Sequence, residues 1–449
     1  MTAPVLARLR QATARSSLVR RSGRVRQLVG LGVVSHGPDV AIGELCEIVP
    51  RDGAAPPIEA EVVALRDDAV TLMPYGPLAG VAAGCEVVAT GGRPSIGVGD
   101  TLLGRVIDAT GRPLDGRRSA GGLAERPVRG RPVNPLERPR IRSVMETGVR
   151  SIDTLLTVGQ GQRVGIFAGS GVGKSTLLGM IARHAQAEVN VIALIGERGR
   201  EVAEFIDKHL GPQGLARSVV VVAASDEPAL LRLRAAYAAI AIAEAFRDAG
   251  RQVLLTMDSV TRFAMARREV GLSAGEPPTA RGYTPSVFSE IPELCERCGT
   301  SASGGSITAL MTVLVEGDDM NEPIADALRA TLDGHIVLSR TIAQRGHFPA
   351  IDPLRSASRV MPDIVTEADR SLAVRAVRTL SVIERNRPLV ELGAYQRGSN
   401  PDLDLALACE PALQSFLDQS AEGVSREAAM KALAAALDAP STAAAGGIR

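Results

Sequence analysis

Ten residues, Phe167-Ala-Gly-Ser-Gly-Val-Gly-Lys-Ser-Thr176, constrain this chain more than any other stretch. An apolar run, "RVGIFAG", leads into them, and a helical pattern follows from about Lys174 to Gln186. Glycines at alternate positions between a buried strand and a helix let successive backbone N–H groups aim at phosphate oxygens. The helix start adds the positive end of its dipole. The spacing fits G-x-x-x-x-G-K-[ST] from Ala168 to Ser175, with Ala in place of the first glycine, a change that a methyl-sized side chain tolerates. Ala168, Gly169, Ser170, Gly171, Val172, Gly173, Lys174, Ser175 and Thr176 are thus the candidate cradle for the phosphates of ATP. Lys174 is placed to reach the β- and γ-phosphates, and Ser175 to offer its hydroxyl to Mg²⁺.

Such a loop needs a mostly parallel sheet covered on both faces, and the surrounding sequence supplies one. The apolar runs 189–196, 218–225, 252–258, 306–315 and 334–340 alternate with helical patterns, and their near-continuous Val, Ile and Leu predict burial on both sides. The helix after 218–225 is expected to be capped by Ser225 or Asp226, with Glu227 and Pro228 in its first turn. Asp258 closes the run "VLLTMD", where a metal-side carboxylate belongs at the carboxyl edge of the sheet. Glu197, in "GERGREV", stands at the mouth of the neighbouring strand and suits a base that polarises water against the γ-phosphate. An ordinary charged loop would carry the same residues, so spacing alone leaves Glu197 open.

Ahead of this core, residues 23–95 show short β-rich runs separated by turns, the pattern of a small β-barrel. Residues 96–146 form a loop-rich connector into a nucleotide domain that ends near 365. Residues 366–438 have the three-to-four spacing of helices, and 439–449 look like a disordered tail.

Composition narrows the function. The 449 residues are 45% hydrophobic but only 2% aromatic, which argues against base-stacking platforms for nucleic acid. Lys plus Arg number 51 against 50 acidic residues, so no global field attracts a polyanion. No apolar run approaches the roughly 18 residues that span a bilayer, which predicts a soluble chain. The basic arm 1–22 is different. Residues 1–38 contain Arg8, Arg10, Arg15, Arg20, Arg21, Arg24 and Arg26 and no acid. This is an arm for an acidic partner or an anionic membrane surface, or else a frayed terminus; its composition also mimics an organelle transit peptide. Five scattered cysteines suggest free thiols in a reducing compartment. Cys295 and Cys298 form an isolated C-x-x-C without two further zinc ligands nearby.

Five long blocks, "GERGREV", "DSVTRFAMARREVG", "GEPPTARGYTPSVFSEIPELCERCG", "EGDDMNEPIADALRATLDGHIVLSR" and "HFPAIDPLRSASRVM", carry a family resemblance. Together they resemble the ATPases of bacterial type III export systems, relatives of the ATP synthase β-subunit, over roughly residues 25–435. Two further stretches, in 72–91 and 155–183, look more like the flagellum-specific branch. The resemblance implies an α/β fold: a RecA-like P-loop NTPase core with an N-terminal small β-barrel and a C-terminal α-helical domain. It implies that Glu197 is the catalytic carboxylate with Arg198 beside it, that Glu201 assists the metal's water shell, and that Asp258 holds Mg²⁺ through water. Arg262 matches an arginine near the γ-phosphate. Phe348 matches an aromatic that packs on adenine, where relatives often have Tyr; a plain core aromatic is the other reading of this residue. Arg359 corresponds to an arginine finger that reaches into the neighbouring subunit's site.

The expected assembly is a homo-hexamer at the inner face of the bacterial cytoplasmic membrane. Its partners would be a stator-like regulatory protein, a central-stalk protein, the export gate, chaperones and exported proteins. An injectisome ATPase and the catalytic subunit of a rotary ATP synthase would share the nucleotide residues; the basic arm and the "CERCG" and "GEPPTARGYTPSVF" blocks favour export. A hexameric RNA translocase would need a basic, aromatic-bearing barrel, whereas Gly23–Gly92 holds only Tyr75 among aromatics.

Overall fold

A computed structural model describes residues 19–438 other than 52–54, 316 and 318. The tail 439–449 and most of the basic arm, including Arg8, Arg10 and Arg15, lie outside the described residues. Three of the described arginines serve the barrel itself. Arg20 pairs with Glu86 at 2.9 Å, Arg21 with Glu44 at 2.5 Å, and Arg24 donates to the carbonyl of Gly84 at 3.0 Å.

Strands β1 (Ser22–Val29), β2 (Gly32–His36), β3 (Leu45–Val49), β4 (Ile58–Arg66), β5 (Ala69–Pro74) and β6 (Glu86–Ala89) close into a barrel in the order β1-β2-β5-β4-β3-β6. Side chains alternate inward and outward along a strand. Here the inward set, among them Val25, Val33, Ile48, Val62, Leu72 and Val87, fills a small aliphatic interior. Closure also removes the exposed edges that an open sheet of this size would present.

The connector is more ordered than its composition suggests. Within it, β7 (Ser95–Val98) pairs with β9 (Ala124–Pro127). Between these, β8 (Arg105–Asp108) enters the central sheet as an edge strand, parallel to β12 (Ser218–Ala223). Arg105 grips Asp115 through two nitrogens, at 2.6 and 3.0 Å, and donates to the carbonyl of Arg118, so the loop behind β8 is tied down.

The central sheet also contains β10 (Arg163–Ala168), β11 (Val189–Ile195), β13 (Gln252–Asp258), β14 (Gly299–Thr300), β15 (Ser306–Leu314), β16 (Gly334–Leu338) and β17 (Ala357–Ser358). Its order is β17-β16-β10-β15-β13-β11-β12-β8, with β14 paired to β15. All neighbours from β16 to β8 are parallel, whereas β14 and β17 run antiparallel to theirs. Every residue of β11 and β12 is buried, as doubly covered parallel strands require. The helix after β12 is Ala229–Asp248, so it begins later than the expected cap at Ser225 or Asp226. Pro228 takes the cap position with an extended backbone and no side-chain cap bond, and the local Asp/Glu signal marks the preceding turn.

Helices Glu367–Glu391, Pro401–Leu417 and Arg426–Asp438 build the C-terminal domain. Asn400 caps the second by accepting from the amides of Asp402 and Leu403. Leu403, Ala406, Leu413 and Phe416 form its buried stripe.

Candidate active site

The carboxyl ends of β10, β11 and β13 bring the site together. The backbone after β10 turns through Gly171 (φ 78°) and Gly173 (φ 87°), left-handed angles that glycine adopts without strain. Gly173 caps the helix Lys174–His184, so the first free amides of that helix face the loop. A cleft of about 730 Å³ opens here, walled by Ala168–Gly171, Gly173–Thr176, Glu197, Arg198, Glu201 and Arg262, among others. Four expected residues stand apart from that wall: Val172, Asp258, Phe348 and Arg359. Val172 turns its side chain into the core at 1% exposure, so only its backbone can serve the cradle. Asp258 lies buried behind Lys174.

Lys174 is the hub of the site. Its Nζ contacts Asp258 Oδ1 and reaches Glu197 Oε1 at 3.3 Å. Burial pushes the ammonium's pKa down, but Asp258 and Glu197 together outweigh that and hold it above the ordinary lysine value. Burial raises the Glu197 carboxyl; Lys174 opposes the rise, and the neighbouring Glu201 adds to it. A carboxyl so placed is a better proton acceptor than an ordinary glutamate. Asp258 has one more fixed partner: Thr312, fully buried on β15, donates its Oγ1 hydrogen to Asp258 Oδ1 at 2.7 Å.

Gly196, which follows β11, has φ 69°, and a Cβ there would meet the side chain of Arg262 at about 3.1 Å. The absence of that Cβ lets Arg262 lie across the turn into the cleft. Its Nε is buried without a partner, an arrangement that suits an anionic ligand. Arg198 is exposed and lies 3.5 Å from Glu201.

Phe348 is 43% exposed, which removes the plain core reading. Its ring edge lies 3.3 Å from where a Cβ on Gly173 would sit, so it flanks the phosphate loop. Arg359 is elsewhere. It follows β17, donates to the carbonyl of Arg329 at 3.3 Å, and its own amide bonds the carbonyl of Asp333 at 3.0 Å. Ser358 pairs with Gly334, the first residue of β16, so Arg359 sits by the amino ends of the strands, away from its own cleft. Thr312 and the cleft residue Arg340 escaped the sequence reading; a threonine in a buried strand looks like any β-former.

A glycine cradle on a helix start, one lysine between two carboxylates and an orphaned arginine define a P-loop nucleotide-hydrolysing enzyme. The chain belongs to the ATP synthase alpha/beta family, in the branch of the flagellar and type III secretion ATPases. Its nucleotide-binding-domain model matches residues 148–358, its beta-barrel-domain model residues 26–91, and the model of the T3SS EscN ATPase C-terminal domain residues 365–435. A flagellum-specific ATP synthase of Bacillus subtilis is 54% identical over 90% of this chain and 92% of its own length. A type 3 secretion system ATPase of Xanthomonas euvesicatoria is 48% identical, covering 93% and 94%. Among solved structures, the assembled ATPase EscN of the enteropathogenic E. coli type III secretion system superposes with a TM-score of 0.88 at 44% identity, over 92% of this chain and all of that one. The three-part architecture and the ATPase class expected from the residues are both met.

Proposed function

We propose that this chain is the ATPase of a flagellar type III export apparatus, acting as a homo-hexameric ring whose subunits complete one another's sites. The observation that carries the reading is the separation of parts: Lys174, Glu197 and Asp258 meet at one end of the sheet, while Arg359 stands by the other. In the reaction, the cradle amides, Lys174 and Arg262 hold the triphosphate. Glu197 orients a water and takes its proton as the water oxygen bonds to the γ-phosphorus and the bond to the β-phosphate oxygen breaks. Arg359 of a neighbouring subunit neutralises charge on the transferring group.

Ser175 and Asp258 would hold Mg²⁺, which supplies charge neutralisation at the phosphates. Among the described residues no group of three or more His, Cys, Asp or Glu can enclose an ion. One hydroxyl and one carboxylate beside substrate phosphates are the donor set that Mg²⁺ commonly takes. Glu201 would assist through the metal's water.

The flagellar assignment rests on identities of 54% and 53% to flagellum-specific relatives from Bacillus subtilis and Treponema pallidum, against 48% for the Xanthomonas secretion ATPase. An injectisome role is the second reading, favoured by that same relative and by EscN. A deletion strain that loses motility and keeps effector secretion supports the first; the reverse supports the second. EscN has been solved with its central stalk EscO at a TM-score of 0.84, which supports a stalk partner here. Among the described residues no helix is long and apolar enough to cross a membrane, so a place at the membrane's inner face would be peripheral, through partners and the basic arm.

Mixing tests the shared site. Arg359→Ala subunits lack the finger and Lys174→Ala subunits lack the phosphate grip, so each is inactive alone. Mixed rings contain some interfaces with both residues intact and should regain measurable hydrolysis. No recovery at any mixing ratio would overturn action in trans.

A further inference from the structure

The strap between the last two helices of the C-terminal domain is bonded to the nucleotide site through one residue. Phe348 has both of its backbone polar groups engaged by that strap. Its amide donates to Asp418 Oδ1 at 3.1 Å, and its carbonyl accepts from the Gln419 amide at 2.8 Å. Gln419 is itself locked. Buried at 8% exposure, it donates from Nε2 to the carbonyls of Gly148 and Glu422, each at 2.8 Å, and accepts at Oε1 from the Arg150 amide at 2.8 Å. The strap is further tied to the nucleotide domain by Val424, whose amide bonds the Gly148 carbonyl at 3.0 Å, and by Arg183, which donates to the carbonyl of Ala421 at 3.1 Å. The ring thus positioned lies against Gly173, the cap of the phosphate-loop helix.

We infer that Asp418 and Gln419 are positioning residues for the nucleotide base, holding the Phe348 ring beside the phosphate loop from the helical domain. The inference rests on Phe348 being the base platform. Its consequence is selective: loss of the strap's bonds to Phe348 alters the grip on the base and leaves the grip on the phosphates alone. The phosphates are held by groups on β10, β11 and β13 and their loops, none of which the strap's Phe348 bonds touch.

The test compares two probes on the full-length protein, ATP and inorganic tripolyphosphate, which has the phosphates and no base. Asp418 is exposed, so Asp418→Ala removes one acceptor with little risk to folding. It should weaken ATP binding about 3- to 10-fold, the scale of one lost hydrogen bond. Tripolyphosphate binding should be unchanged, and Asp418→Asn, which keeps an acceptor, should restore ATP affinity. Gln419→Ala should show a larger version of the same selectivity, with its melting temperature recorded alongside. Phe348→Ala is the reference and should weaken ATP alone. Equal weakening of both probes by the strap variants, or no weakening while Phe348→Ala weakens ATP, overturns the positioning role. If Phe348→Ala leaves the ratio of the two affinities unchanged, the base-platform reading itself fails and takes the inference with it.

Discussion

The two ends of the central sheet are built on opposite principles. At the carboxyl ends of β10, β11 and β13, charged groups crowd together: Lys174 touches two carboxylates, and Thr312 pins one of them from below. By the amino end of β16, the guanidinium of Arg359 donates to a backbone carbonyl, that of Arg329. The first end pairs its lysine with its carboxylates, leaves Arg262 for an anion, and is shaped to receive a ligand. At the second, the carboxylates of Asp333 and Glu296 are taken by Arg163, and Arg359 is left to project a cation. A subunit with one receiving and one projecting end is suited to head-to-tail association, which closes into a ring when the rotation permits.

The contrast can be broken most severely at the projecting end. Arg359→Ala should lower turnover by about 10³- to 10⁵-fold, the range known for arginine fingers, with binding of ATP to the isolated subunit little changed. A small effect on turnover would mean that the edge arginine is only structural. At the crowded end, Glu197→Gln should reduce turnover by about 10²- to 10⁴-fold while ATP still binds, since the amide keeps the shape and loses the base. Loss of binding instead would assign Glu197 to holding the site together.

A titration sharpens the picture further. In the proposed reaction the active form of Glu197 is ionised, and burial with Glu201 nearby raises its pKa, so protonation on acidification begins above the ordinary value of about 4.3. The acid limb of the turnover profile should therefore lie above that value. Removing the neighbouring acid with Glu201→Gln should move the limb to lower pH; an unmoved limb would place its origin elsewhere. The smallest effect belongs to Thr312→Val, which deletes a 2.7 Å bond to Asp258. It should raise the Mg²⁺ concentration for half-maximal turnover by about 3- to 10-fold, again the scale of one hydrogen bond. An unchanged Mg²⁺ requirement would show that Asp258 is held without it.

How much of this was legible in the residues follows from how local each signal is. The phosphate loop, its strand and its helix form one continuous motif, and the carboxylates that end β13 and follow β11 could be placed by counting strands. The edge strand Arg105–Asp108 was hidden because four residues flanked by Gly and Ala have too little pattern to separate from loop, and only pairing with β12 makes them a strand. The helix start at Ala229 was misplaced because Ser225, Asp226 and Glu227 imitate a cap one turn early. Thr312 and Gln419 act across 54 and 71 residues of chain, on Asp258 and Phe348 respectively, and no local spacing announces such partners. Roles drawn from the resemblance, such as that of Arg359, came from whole blocks and not from any pattern around the residue.

The insertion of β8 beside β12 has a mechanical meaning for the barrel. Its tether is a rung of the ATPase sheet, clamped behind by Arg105 on Asp115, and not a swivel. Collar and engine are geared together. A load on the one is felt along a row of backbone bonds at the outer border of the other, two strands from Glu197.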